Sequence, residues 1–313
     1  MGRRRRRKRL PEGEFETEID SMRKDGRGIA EVDGKPIHIH GALPGERVKF
    51  RYLNRRRGHD EGQVVAVLQS SDDRVEPRCA HYGVCGGCSL QHVEPSAQIR
   101  VKQAVLLDNF RQLGQVMPQT ILPPIINDDP WGYRRKARLG VKHVARKGRV
   151  LVGFRERGSS FVADLQKCHV LHPRVGELLP QLSVLVESLS ISNRLPQIEM
   201  AMDDERCVLI LRILEPLSIE DGRLLEDFQS IHPVVFYLQP GGPETVGPLS
   251  QGVDLSYQLP GYDLTLGFLP SDFTQVNTDI NRKMIGRAID LLDLRPSDKV
   301  LDLICGIGNF TLP

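Results

Sequence analysis

Residues 78–92, RCAHYGVCGGCSLQH, place three thiols close together: Cys79, Cys85 and Cys88, spaced Cys-x5-Cys-x2-Cys. Glycines at 83, 86 and 87 let the backbone fold tightly around a ligand. A fourth ligand is needed, and Cys168, in DLQKCHVLHP, is the candidate. All-thiolate ligation suits tetrahedral zinc or an iron–sulfur cluster, and the spacing does not choose between them. It does differ from the Cys-x3-Cys-x2-Cys pattern of radical S-adenosylmethionine enzymes, and a fourth protein thiol would leave no iron open to a substrate. Cys207, within the apolar run CVLILRI, reads instead as a buried core thiol.

Two further stretches carry chemistry. Residues 300–313 read VLDLICGIGNFTLP. Residues 300–304 look like a short buried strand carrying Asp302, and the turn 305–308 supplies Gly-x-Gly. Asn309 and Phe310 stand where a dinucleotide fingerprint has its third glycine, which favours S-adenosyl-L-methionine over NAD. Residues 134–157 hold ten Lys or Arg against one acid, Glu156, a net of +9. The stretch reads as a hairpin turning near Lys147 and Gly148. Lys136, Arg138 and Lys142 fall on one strand face, and Ala137, Leu139 and Val141 on the other. A solvated sheet face normally mixes signs, so Arg134, Arg135, Lys136, Arg138 and Lys142 are candidates for contact with RNA or DNA.

These groups must be positioned by several domains, for which 313 residues are enough. With 40% hydrophobic and 27% charged residues, the composition is that of a soluble globular protein. No run of about 18 apolar residues suggests a membrane span. The front, MGRRRRRKRL, lacks the apolar core of a secretory signal, so a cytoplasmic, monomeric protein with reduced thiols and no membrane partner is expected. The net charge of +3 hides an asymmetry: residues 3–9 contribute +7 and the remainder is acidic. Such a run stays solvated or serves as a non-specific arm for phosphates, so residues 1–12 are assigned to a basic tail.

Residues 13–69 contain five short alternating runs between Gly-, Pro- and Asp-rich turns, which predicts a small OB-like barrel. Phe15, Phe50 and Tyr52 are its aromatics, too few to distinguish a binding platform from core. Residues 94–114 predict a helix with Ile99, Val105, Leu106 and Phe110 as its apolar stripe. Further on, RVGELLPQLSVLVESL and SIEDGRLLEDFQSI read as helices; QIEMAM, CVLILRI, VVFYLQ and LTLGF read as strands. His38 and His40 alternate on a strand, and such histidines are more often surface or core than ligands. Asn277 is placed to cap a helix over residues 278–294, burying Ile280, Met284, Ala288, Leu291 and Leu292.

The order of these pieces resembles the RNA uracil-C5 methyltransferases. HYGVCGGC, YRRKARL, GFRERGSS, DFTQVN and LDLICGIGNFTLP carry the resemblance, which covers nearly the whole chain after the basic tail. It implies a multidomain α/β protein: a TRAM domain at 13–69, a central α+β iron–sulfur domain at 70–270, and from 271–313 the first part of a Rossmann-like methyltransferase domain. It implies a 4Fe–4S cluster on Cys79, Cys85, Cys88 and Cys168. It places S-adenosyl-L-methionine contacts on Gln275, the backbone at Ile304, and Asn309, and makes Phe273 a candidate for stacking on an RNA base. The family usually has Phe where Ile304 stands, which would spare a backbone contact but not an aromatic one. Barrel and cluster together imply 23S rRNA as partner, because the relatives acting on tRNA lack both.

The chemistry implied is C5 methylation of uridine. C5 is too weak a nucleophile unaided; a cysteine thiolate adding at C6 makes it enolate-like, and a base later removes the C5 proton. The family's nucleophile and base lie beyond Pro313, and Cys305, in the cofactor turn, is not assigned that role. The chain is therefore expected to stop inside its cofactor loop, to be inactive as written, and to be poorly ordered or packed non-natively from about residue 296; the alternative readings are a non-catalytic RNA-binding iron–sulfur module and a zinc-bound nucleic-acid-binding protein.

Overall fold

The computed structural model describes residues 9–313, so most of the basic tail assigned to residues 1–12 lies outside the described residues. Contacts divide the chain into two units, one running to Gly83 and resuming over Cys88–Pro124, the other formed by Val84–Gly87 with Ile125–Pro313. No helix among the described residues is long and apolar enough to cross a membrane.

The first unit is built on six strands: β1 (Phe15–Glu18), β2 (Ser21–Met22), β3 (Arg27–Val32), β4 (Lys35–His40), β5 (Arg47–Arg55) and β6 (Asp60–Gln69). Their order is β1-β5-β6-β4-β3-β2, with only the β4–β6 pair parallel. β1 and β2 are two halves of one bent strand. β1 pairs with β5 and β2 with β3. Between them Ile19 N donates to Glu46 O and Asp20 N to Ile29 O, both at 2.9 Å. One strand thus serves both ends of the sheet, as an OB-like barrel requires. Its interior is Ile19, Ile37, Ile39, Val48 and Phe50. Gly62 makes room for the largest of these, because a Cβ there would stand 2.9 Å from Phe50 Cδ2. Phe15 and Tyr52 pack against Phe50 at ring separations of 5.9 and 5.2 Å, so the barrel aromatics are core.

Glu46, fully buried, anchors the chain leaving the barrel: it accepts from Leu43 N at 2.8 Å and pairs with Arg74 at 2.5 Å. Those bonds hold its carboxyl below the usual range against the opposing effect of burial. Helix α1 (Pro95–Asn109) begins at Glu94, whose side chain accepts from Ala97 N. The predicted stripe is not its buried face. Ala97 is its one fully buried residue, packed with Met22, Leu43 and Val93. Ile99 and Val105 are half-buried, and Leu106 and Phe110 are exposed. Val101 adds a half-buried contact to that cluster from the second turn, and no residue of α1 beyond Ala97 is fully buried.

The second unit follows the sequence expectation closely. Its strands are β7 (Lys136–Val144), β8 (Arg149–Gly153), β9 (Gln197–Met202), β10 (Cys207–Arg212), β11 (Val235–Gln239) and β12 (Gly247–Pro248), in the order β12-β11-β10-β9-β7-β8. Only β10–β11 is parallel, bridged by α4 (Ile219–Ile231), after α2 (Pro173–Gly176) and α3 (Leu179–Ser188). Ser218 and Asp221 form a reciprocal capping box at the start of α4. The central strands are apolar on both faces because both are covered. Met200, Leu209 and Leu211 face one cluster with Leu179, Leu182 and Leu225, and Ala201, Val208 and Ile210 face another. Cys207 is 1% exposed, and burial pushes its thiol up to about 12.

The second cluster is closed by the hairpin β13 (Leu255–Leu259) and β14 (Leu264–Phe268) and by α5 (Thr278–Leu292). Asn277 caps α5 as expected, accepting from Ile280 N at 3.1 Å. The buried face is different: Asn281 and Ile285 are buried, whereas Leu291 and Leu292 are exposed. Residues 300–304 correct a second expectation. They form no strand, and Val300, Leu301, Leu303 and Ile304 are exposed. A strand exists only where a neighbour takes its backbone groups, and no described strand pairs with this run. The Rossmann-like start is therefore not formed as a sheet.

Candidate functional site

The segment 273–277, leading into α5, delivers Gln275 to a small cavity also lined by Arg135, Asp203, Tyr257, Thr278 and Asn281. The cavity lies where β7, β13 and the N-terminus of α5 converge. Arg135 Nη1 donates to Asp203 O at 2.6 Å and pairs with Asp204 at 3.0 Å. Asp203 Oδ2 accepts from Ser256 N at 3.2 Å. The lining offers amide and hydroxyl groups of both donor and acceptor type, bracketed by one cation and one anion. Asn309 joins the same wall: its Oδ1 accepts from Tyr257 Oη at 2.6 Å and from Asn281 Nδ2 at 3.0 Å, and its Nδ2 donates to Asn281 Oδ1 at 2.9 Å. Burial raises the Tyr257 phenol, which keeps it a donor. A larger open groove, lined by Glu244, Asp254, Asp272, Leu255 and Phe268, presents carboxylates without a lining cation and does not suit an anionic ligand.

The thiols are distributed between the units: Cys79 and Cys88 belong to the first, Cys85 and Cys168 to the second. Val84–Gly87 lies as an added strand beside residues 155–157, with Gly86 N donating to Arg155 O and Arg157 N to Val84 O, both at 2.8 Å. Gly87 N approaches Cys85 Sγ at 3.4 Å. A Cβ at Gly86 would stand 3.0 Å from Arg155 O, and one at Gly87 3.0 Å from Phe154, so a side chain at either position would be tightly crowded. Cys168 N donates to Gly176 O at 2.9 Å. Among the described residues, no three Cys, His, Asp or Glu side chains are gathered as a metal-ligating group.

The basic hairpin forms as expected, turning at Gly148, with φ +63°. Ala137, Leu139 and Val141 are buried. The opposite face is less positive than its own sequence. Glu199 on neighbouring β9 bridges Lys136 and Arg138, each at 3.1 Å, and Lys136 Nζ also donates to Pro270 O. Asp164 takes Lys147 and Arg149 at 2.6 and 2.7 Å. Arg134 stands over the Phe154 ring. Lys142 is exposed and makes no ion pair among the described residues; Arg138 is 68% exposed beyond its partner.

The family model described as tRNA (Uracil-5-)-methyltransferase matches residues 252–313, the span holding Gln275, Asn281 and Asn309. The 23S rRNA (uracil(1939)-C(5))-methyltransferase RlmD of Alkalilimnicola ehrlichii is 51% identical over 315 residues, covering 100% of this chain and 70% of that protein. The protein of the same name from Nitrosococcus oceani is 52% identical over 309 residues, covering 98% of this chain and 69% of its own length. This chain belongs to the RlmD family. Among solved structures, Pyrococcus abyssi tRNA (uracil-54, C5)-methyltransferase in complex with S-adenosyl-L-homocysteine matches with a TM-score of 0.68. That match covers 94% of this chain and 69% of that one at 18% identity, and shows the shared fold.

In this RlmD-family chain, Gln275 and Asn309 fall on one connected wall. Ile304 does not line the cavity: it is 99% exposed, with φ +69°. Phe273 is 77% exposed, as a stacking residue requires. Sequence reasoning missed Tyr257 and Asn281. An amide pair across 28 residues leaves no local pattern, although a polar residue at the start of a helical apolar face was a signal.

Proposed function

We propose that this chain acts in the S-adenosyl-L-methionine-dependent C5 methylation of a uridine in 23S rRNA. The observation that carries the reading is the wall joining Gln275 to Asn309, in a chain about half identical over its length to proteins named for that reaction. Bound S-adenosyl-L-methionine would supply an electrophilic methyl group. Gln275 and Asn309 would hold it, and the backbone at Ile304 is the third contact in this reading. The small cavity, about 20 Å³, is lined by neutral donors and acceptors beside Arg135 and Asp203, a lining that suits one polar end of that ligand.

In the same reading the barrel over residues 13–69 is a TRAM domain, and the assembly continues through a central domain at 70–270 into a methyltransferase domain from 271. RNA is held by the exposed charges of the hairpin, chiefly Lys142 and Arg138 with lesser parts for Arg134, Arg135 and Lys136, while Phe273 stacks on a base. Cys79, Cys85, Cys88 and Cys168 would hold a 4Fe–4S cluster. The donor set fits in kind, since the Gly87 N–H directed at Cys85 Sγ and the close approach of Arg155 and Phe154 to the two glycines make a cradle of the sort that stabilises thiolates. The cluster's place in this reading is structural.

Two measurements test these assignments. Deleting the gene should remove one 5-methyluridine from 23S rRNA, read by mass spectrometry of nuclease digests; an unchanged count would overturn the reading. Protein purified without oxygen should contain iron and sulfide, lost in Cys168→Ser and kept in Cys207→Ser. Stoichiometric zinc without sulfide would replace the cluster with a zinc site.

A further inference from the structure

We infer that Asn281 and Tyr257 are positioning residues that fix Asn309 so that its side chain offers the methyl donor one N–H and nothing else. The inference rests on the proposed function and deepens it. An asparagine amide has two acceptor lone pairs and two N–H donors. Both acceptor positions of Asn309 are taken: Oδ1 receives Tyr257 Oη at 2.6 Å and Asn281 Nδ2 at 3.0 Å. One donor is taken by Asn281 Oδ1 at 2.9 Å. One N–H is left.

The partners are themselves held. Asn281 is 4% exposed, one turn into α5, whose N-terminus Asn277 caps. Tyr257 is 8% exposed on β13 and packs against Phe268. Both also line the cavity that receives Gln275. The amide pair therefore ties the residue after the glycine turn to the wall carrying the other cofactor contact. The site is built to meet an acceptor atom, such as a hydroxyl oxygen, ring nitrogen or carboxylate of the donor molecule. A group that only donates would find no lone pair there. Leaving a buried polar partner unmatched carries its full desolvation cost, so the pairing sets which way the amide faces.

The test is equilibrium dialysis of methyl-tritiated S-adenosyl-L-methionine against the full chain, with thermal unfolding as a control. Asn281→Ala should weaken binding roughly tenfold, the scale of one lost hydrogen bond of this kind. Asn281→Asp is the informative variant. As a neutral acid it presents an acceptor and a donor where the amide did; as an anion it faces Asn309 Oδ1 with no donor. Its affinity should approach that of the unsubstituted protein at low pH and fall as the acid ionises, while Asn281→Ala stays weak throughout. Tyr257→Phe should weaken binding without adding pH dependence. Gln275→Ala is the control for the underlying reading. Weak binding by Gln275→Ala with unchanged binding by Asn281→Ala would overturn the positioning role alone. A pH-independent Asn281→Asp would also overturn it, because a packing role does not titrate. Unchanged binding by Gln275→Ala, or none by the unsubstituted chain, would remove the cofactor site and this inference with it.

Discussion

His38 is a histidine the barrel holds neutral. It is 7% exposed on β4 and stacks on His59 at 4.2 Å. Burial, then Arg23, His59 and Arg27, lower it to about 4. Its Nδ1 is buried without a hydrogen-bond partner among the described residues. The unfolded chain takes up this proton near pH 6.5 and the folded one only near 4, so folded stability falls with pH through that window and is unaffected above it. The loss amounts to at most about 3 kcal/mol. Protection factors of the Ile37 and Ile39 backbone amides, corrected for the intrinsic pH dependence of exchange, should fall as pH drops from about 6.5 to about 4, and His38→Gln should flatten that dependence. An identical profile in the variant would assign the effect elsewhere. The sequence showed a histidine on an alternating strand, but not the arginines and second ring that other strands and their connections bring to it.

The β7–β8 hairpin was legible because its inward residues alternate strictly and its turn is marked by Gly148. What lay outside that window was the neighbouring strand: Glu199 reaches Arg138 from 61 residues away and mixes the sign of the face. Individual cations should then count unequally in RNA binding. Lys142→Gln should flatten the slope of log affinity against log salt by roughly 0.7 to 0.9, the change for one phosphate contact. Lys136→Gln should barely alter it, since Lys136 is 14% exposed and already paired. Slopes unchanged from the unsubstituted chain in both variants would mean the hairpin does not touch phosphate, and equal flattening would mean the Glu199 pairing does not withhold Lys136. The same limit explains α5. Its cap was readable from Asn277, but its buried face starts on polar Asn281, so an apolar count set the phase wrongly. Residues 300–304 have a strand's composition, and composition cannot provide a neighbour to pair with.

At the scale of the whole chain, the runs that became β9, β10, β11 and β14 were bounded to within one residue because each is apolar and framed by turns. The division into units was not readable, because Val84–Gly87 belongs to a unit otherwise starting at Ile125. Cutting the chain after Pro124 would therefore not isolate an intact piece. Hydrogen exchange on a 1–124 fragment should find Gly86 unprotected, since its acceptor, Arg155 O, is gone, while Ile37, Ile39 and Phe50 stay protected by the barrel core. Collapse of that protection would show that the barrel depends on the rest of the chain.

The bent strand β1–β2 holds one seam of the barrel with its first half and the other with its second. Tension applied through the front of the chain would load these seams in sequence, β1 against β5 first, then β2 against β3. Between them stand the Ile19 and Asp20 hydrogen bonds to Glu46 and Ile29. The barrel is thus fastened mechanically by one buckle of eight residues, and a pull that opens it turns a ring into an open sheet with two bare edges.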